Sequence, residues 1–165
     1  MSGTKAVTAN IVLIGMPGCG KSAIGRTLAA FCGRPLFDTD EMVEKVSGRP
    51  VALILAEEGE AAFRALERKA TALAAAKKGR IIATGGGTPL DAENRRVLAC
   101  TGRLYFIERA PELLPREGRP LSLDINALYA ARLPIYLSVA AAAIKNDASI
   151  EEAARRVLDA HIKAF

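Results

Sequence analysis

"IVLIGMPGCGKS", residues 11–22, joins an unbroken apolar run to a loop with glycine at 15, 18 and 20 that closes on Lys21 and Ser22. The segment from Gly15 to Ser22 satisfies G-x-x-x-x-G-K-[ST], the spacing of a phosphate-binding loop. The spacing has a mechanical basis. Glycines let successive backbone N–H groups turn inward, and the following helix adds the partial positive charge of its N-terminus. The lysine then reaches the β and γ phosphates, and the serine hydroxyl suits Mg²⁺. Gly18, Cys19, Gly20, Lys21, Ser22 and Ala23 are therefore the expected polyphosphate cradle.

Working outward, short apolar runs recur at 35–37, 80–84 and 103–107 with helical patterns between them, which predicts an α/β protein with a parallel sheet. Ala23, Ile24, Leu28 and Phe31 share one face of the first helix, and Gly33 with Pro35 ends it. A second helical region starts near Asp40, breaks at "SGRP", resumes at Val51, is interrupted by Gly59 and ends at "KKGR". The stretch "ERAPELLPREGRPLS" is too rich in proline for a continuous helix and reads as a loop over a site. Helix is expected again over 123–140. The run "AAAAIKND" is read as a last strand although its alanines favour helix. Ser149 and Glu152 form a capping box that opens the closing helix. His161, the single histidine, falls on that helix without a partner motif and is expected at the surface rather than in catalysis.

At 165 residues with no Pro/Gly/Ser-rich linker, the chain is read as one domain, 1–165. Lys and Arg exceed Asp and Glu by 23 to 18, a net charge of +5 that favours anionic ligands without forming a basic tract. Without tryptophan or a recognition motif, nucleic acid is not expected as a partner. No apolar run approaches the roughly 18 residues of a membrane span, so a cytoplasmic protein with no membrane contact is expected. Cys19, Cys32 and Cys100 are an odd set without metal-ligand spacing and are read as buried or incidental thiols, with Cys19 open to modification where exposed.

A phosphate loop by itself does not name an acceptor. "LFDTDEM", residues 36–42, ends the second strand with Asp38 and Asp40 on one face, at the strand ends where ligands bind in open α/β sheets. Such a pair suits Mg²⁺ waters and an attacking hydroxyl, while a turn with a helix N-cap accounts for the same spacing equally well. "TGGGTP", residues 84–89, either lets a ligand approach the backbone or makes a tight turn. Arg64, Arg119 and Arg132 add three cations, each unremarkable alone.

The ordered set "GMPGCGKS", "FDTD", "GEAAFRALE", "TGGG", "GRPL" and "ARLPIY" resembles the shikimate kinase family over about residues 10–160. The resemblance implies a nucleoside-monophosphate-kinase-like P-loop fold: three layers, α/β/α, around a five-stranded parallel sheet in order 2-3-1-4-5. It implies transfer of phosphate from ATP, with Mg²⁺, to the 3-hydroxyl of shikimate, giving ADP and shikimate 3-phosphate on the route to aromatic amino acids. The acceptor-binding helices would span about 40–70 and the lid about 109–122. Lys21, Asp40 and Arg119 would be catalytic, with Asp40 holding the acceptor hydroxyls as base or orienting group. Ser22, Asp38 and Asp40 would serve the metal. Arg64 and Arg132 would clamp the carboxylate, Glu67 would brace the arginine side, Gly85, Gly86 and Gly87 would contact the ring, and Leu55 and Phe63 would wall its apolar face. The lid is short, as in a compact-lid branch of the family; Arg116 either fills the adenine-stacking place or faces solvent. "KNDAS" lacks the proline often found in the adenine loop. The family default is a monomer.

Two other readings compete. A ligand sensor that transfers no phosphate would be free to lose Lys21, Ser22, Asp40 or Arg119, and all four are present. A kinase for another small acid, such as gluconate, is disfavoured by the joint presence of "FDTD", "TGGG" and the paired arginines.

Overall fold

β1, Asn10–Ile14, is buried along its whole length and lies at the centre of the sheet in the computed structural model, which describes residues 8–115 and 124–165. An unbroken apolar run suits a parallel strand covered by helices on both faces, where no side chain meets water. Four further strands complete the sheet: β2 Leu36–Asp38, β3 Ile81–Ala83, β4 Gly102–Glu108 and β5 Ala142–Lys145. Their order is β2-β3-β1-β4-β5, and every pairing is parallel. Asn10, fully buried at the start of β1, is satisfied on both sides of its amide. Its Nδ2 donates to the Lys77 carbonyl and Thr101 Oγ1, and its Oδ1 accepts from the Arg80 N–H.

The helices are α1 Lys21–Cys32, α2 Thr39–Ser47, α3 Val51–Glu58, α4 Glu60–Ala75, α5 Ala92–Thr101, α6 Ile125–Val139 and α7 Ile150–Lys163. α1 packs on α7 and α4 packs on α5, giving a helical pair for each side of the sheet. Gly33 ends α1 in the left-handed region at φ 63°, as the sequence implies. Gly59, at φ 86°, separates α3 from α4 at the expected interruption. Ser149 caps α7 by accepting the Glu152 N–H at 3.1 Å. The alanine-rich run is indeed a strand. Pairing with β4 and burial of Ile144 override a helix preference worth only tenths of a kcal/mol per residue.

Two expectations are corrected, those for Phe31 and His161. Phe31 is 43% exposed, with the Arg155 guanidinium 6.0 Å from its ring, because α1 turns that position away from the sheet in its last turn. Cys19 is fully buried in the phosphate loop, in line with its reading as a buried thiol. His161 is also buried: Ala153, Val157 and His161 recur every four residues along α7 and face inward together. Its Nδ1 lies 2.9 Å from the hydroxyl of Tyr105 on β4, so the histidine is a core partner of a buried phenol. Burial raises that phenol to about 12, and Tyr105 stays neutral.

Around β1 the connections diverge, to β2 through α1 on one side and from β3 to β4 through α5 on the other. Such a reversal opens a crevice at the carboxyl ends of the strands, where the loops after β1, β2 and β3 meet.

Candidate active site

The loop after β1 takes left-handed backbone at Gly18 (φ 77°) and Gly20 (φ 104°), where a side chain would be strained. Gly20 is also the N-cap of α1 and provides no capping side chain, so the first N–H groups of the helix open toward the crevice. Lys21 is buried, and its Nζ donates to the carbonyls of Gly15 at 2.7 Å and Met16 at 2.8 Å. Ser22 Oγ donates to Asp38 Oδ2 at 2.7 Å, tying the loop to the end of β2.

Asp38 is the helix N-cap that its spacing allowed, and it also ties β2 to the phosphate loop. One oxygen takes the serine hydroxyl, while the other caps α2 by accepting the N–H groups of Asp40 and Glu41 at 3.0 and 3.3 Å. β2 ends at Asp38 and α2 begins at Thr39, so Asp40 belongs to the first helical turn and strand alternation does not set its direction. Both carboxylates nevertheless line one cleft of about 410 Å³ with Lys21, Ser22, Gly85 and Gly86. Ala23 and Arg26 also reach it. A cleft of about 500 Å³ between Gly102 and Phe165 lies at the opposite, amino end of the strands and has none of these groups.

Asp40 is the perturbed acid of the site. Burial, followed by the charges of Asp38 and Glu67, pushes its carboxyl up to about 6, with Lys21 pulling the other way. The value is near that of a base working at neutral pH.

The turn after β3 brings together the residues expected on the acceptor side. A Cβ on Gly85 would lie 2.8 Å from Asp40 Oδ1, one on Gly86 would lie 3.1 Å from an Arg132 nitrogen, and one on Gly87 would lie 2.5 Å from an Arg64 nitrogen. Three successive glycines thus leave room for a carboxylate and two guanidinium groups. Gly86 is further pressed on the Pro17 ring, 2.5 Å from where its Cβ would be. None of the three has positive φ, so close approach rather than conformation requires glycine here.

Glu67 is 1% exposed and divides its two oxygens: Oε1 accepts from Arg64 at 2.9 Å, and Oε2 accepts from the Thr88 hydroxyl at 3.0 Å. Phe63 is buried beside Val43 and Ile54, with the Arg64 guanidinium 5.2 Å from its ring. Leu55 is 41% exposed on α3. Arg132, on α6, carries two buried nitrogens, Nε and an Nη, without a hydrogen-bond partner among the described residues. Buried donors of this kind are costly and mark a place where another molecule's acceptors belong. Arg116 and Arg119, with most of the expected lid, lie outside the described residues.

Sequence reasoning missed four supports. Thr39 Oγ1 accepts the Gly85 N–H at 3.1 Å, and Thr84 Oγ1 donates to the Leu13 carbonyl at 2.9 Å. Tyr136 donates its hydroxyl to the Gly86 carbonyl at 2.7 Å, and Asn146 Nδ2 donates to the Cys19 carbonyl at 2.8 Å. Tyr136 stands in the quoted "ARLPIY" and Asn146 in "KNDAS", but neither segment reveals which carbonyl its side chain meets.

The family model "Shikimate kinase" matches residues 17–161. A shikimate kinase of Symbiobacterium thermophilum is 43% identical over 151 residues, covering 84% of this chain and 87% of the relative. One from Thermobifida fusca is 38% identical, covering 93% and 94%. The solved shikimate kinase from Acinetobacter baumannii, in complex with shikimate, superposes with a TM-score of 0.90 at 28% identity, covering 99% of this chain and 98% of that one. The phosphate loop, the raised carboxyl of Asp40 and the glycine turn with its two arginines therefore sit on a chain that belongs to the shikimate kinase family.

Proposed function

We propose that the residues gathered at the ends of β1, β2 and β3 carry out the family's reaction with a definite division of labour. The reaction is ATP-dependent phosphorylation of shikimate to shikimate 3-phosphate, a step toward chorismate and the aromatic amino acids. The observation that carries the assignment of roles is the contact of Gly85, Gly86 and Gly87 with Asp40, Arg132 and Arg64 in turn. A ring bearing hydroxyls at one end and a carboxylate at the other matches that order of an acid followed by two guanidinium groups. The forked donors of arginine suit a planar carboxylate.

Asp40 orients the attacking hydroxyl and accepts its proton, while the loop N–H groups and Lys21 hold the transferring phosphate. Arg119 is the residue that the family resemblance implies would stabilise the charge on that phosphate. Catalysis is then positioning and electrostatics, with no covalent enzyme intermediate. Ser22 and Asp38 fit Mg²⁺: they are hydrogen-bonded oxygen groups at the phosphate end of the cleft, and the ion prefers oxygen ligands. Among the described residues there is no cluster of three metal-binding side chains. Bound there, Mg²⁺ neutralises charge on the β and γ phosphates. No described helix is long and apolar enough to cross a membrane. A cytoplasmic monomer is the form the family resemblance implies, and size-exclusion chromatography with light scattering tests the oligomeric state.

The test of the reaction is ADP release from Mg-ATP with and without shikimate, with quinate and gluconate as competing acceptors. Stimulation by shikimate alone is expected. Shikimate binding without stimulation would support a sensor instead, and stimulation by gluconate alone would reassign the acceptor. A pH profile tests Asp40. The group must be ionised to accept the proton, so kcat/KM for shikimate is expected to fall about tenfold per pH unit below about pH 6. A profile flat to pH 5 would take Asp40 out of that role.

A further inference from the structure

Two buried hydrogen bonds reach from the C-terminal part of the chain into the backs of the two ligand loops. Asn146, just beyond β5, is 5% exposed; its backbone N–H donates to the Glu108 carbonyl at 2.9 Å and its Nδ2 to the Cys19 carbonyl at 2.8 Å. The first bond fixes the residue on the sheet, and the second lets it grip the phosphate loop. A Cβ on Gly20 would lie 2.7 Å from the same Nδ2, so amide and loop are packed closely together. Tyr136 on α6 is fully buried, its ring is stacked on Phe106 at 5.1 Å, and its hydroxyl donates to the Gly86 carbonyl at 2.7 Å.

In a planar trans peptide the carbonyl points opposite to the N–H of the next residue. Holding the Cys19 carbonyl on the Asn146 side therefore aims the Gly20 N–H away from Asn146, into the concavity of the phosphate loop. Holding the Gly86 carbonyl on Tyr136 likewise aims the Gly87 N–H away from α6. Glycine backbones rotate easily, and donors without such a hold would have to be ordered by the ligand at a cost in affinity.

We propose that Asn146 and Tyr136 are positioning residues, each acting through one peptide: Asn146 presents the Gly20 N–H to the nucleotide phosphates, and Tyr136 presents the Gly87 N–H to the acceptor. The inference rests on the functional reading above and extends it to groups that touch neither ligand. It makes the two supports separable. A general loss of packing would weaken both ligands together, whereas peptide positioning weakens one at a time.

The experiment is calorimetric titration of the full chain and of Tyr136→Phe and Asn146→Ala with shikimate and, separately, with Mg-ADP. Tyr136→Phe keeps the ring on Phe106 and removes the hydroxyl, which also faces Arg132, so the peptide route further requires that the Gly87 N–H of this variant lose its response to shikimate. The variant is expected to weaken shikimate about tenfold and leave ADP within about twofold. Asn146→Ala is expected to do the converse. Equal weakening of both ligands in either variant, or no change in either, overturns the proposal. An unmutated chain that binds ADP but not shikimate would instead overturn the functional reading beneath it. Amide NMR of the unmutated chain needs no variant to fold. The Gly20 N–H is expected to shift with Mg-ADP and the Gly87 N–H with shikimate, and a Gly87 resonance indifferent to shikimate overturns the acceptor half.

Discussion

Asp40→Asn is expected to lower kcat by about 10²–10⁴ while leaving Mg-ADP binding within a few-fold of the unmutated chain. The substitution keeps the size of the side chain and its place in the first turn of α2, but removes the group proposed to accept the hydroxyl proton. The same change is expected to stabilise the fold. Asp40 is raised from 3.8 to about 6 in the folded chain, so the folded state binds this proton more tightly than the unfolded state does. The resulting penalty is absent below the unfolded value, grows as pH rises between the two values and is complete above about 6. An amide mimics the protonated acid and removes a penalty on the order of 2–3 kcal/mol at neutral pH. Loss of a negative charge from a helix N-terminus returns roughly 0.5–1 kcal/mol of that gain. The thermal midpoint at pH 7.5 should therefore rise, with the advantage vanishing near pH 4. Near-normal turnover would remove Asp40 from the mechanism, and a lower midpoint at pH 7.5 would show that its charge is well solvated.

Arg132→Ala is expected to raise KM for shikimate by about 100-fold and to change ADP binding little, because a buried charge-assisted clamp is lost on the acceptor side only. Arg132→Lys should recover only part of the loss, since an ammonium supplies a point charge where a fork is required. Stability separates this role from a structural one. Among the described residues two of the guanidinium nitrogens are buried without a partner, so the alanine variant gives up no hydrogen bond to those residues through them, and its thermal midpoint should hold or rise. Shikimate binding of unmutated strength in Arg132→Ala would exclude the clamp. A large fall in the midpoint would mean that Arg132 serves the fold.

Local elements were legible because their causes are local. A phosphate loop is specified by glycine spacing, and the loop from Gly15 to Ser22 forms between β1 and α1 as its spacing implies. Gly33, Gly59 and Ser149 act at the positions where they were read, since caps and breaks depend on a residue and its immediate neighbours. Four-residue spacing along α7 contained the signal for a buried His161, but the hydroxyl it meets is on β4, 56 positions earlier in the chain. Phe31 went the other way, because an apolar residue in a last helical turn is buried only where another element covers it.

The sequence by itself determined the chemistry available to this protein: a phosphate loop on a central strand, acids after the second strand, and glycines after the third. It also determined the order in which the chain delivers them, and a parallel sheet must bring the carboxyl ends of such strands together. Tertiary structure alone decided how those groups are held. The bonds of Asp38 to Ser22 and of Glu67 to Thr88, the rise of Asp40 to about 6 and the grips of Asn146 on Cys19 and Tyr136 on Gly86 all depend on distance in space. Hydrogen bonds and carboxylate repulsion act over a few ångströms, and residues 50 to 127 positions apart reach that range only when the sheet and its helices have closed.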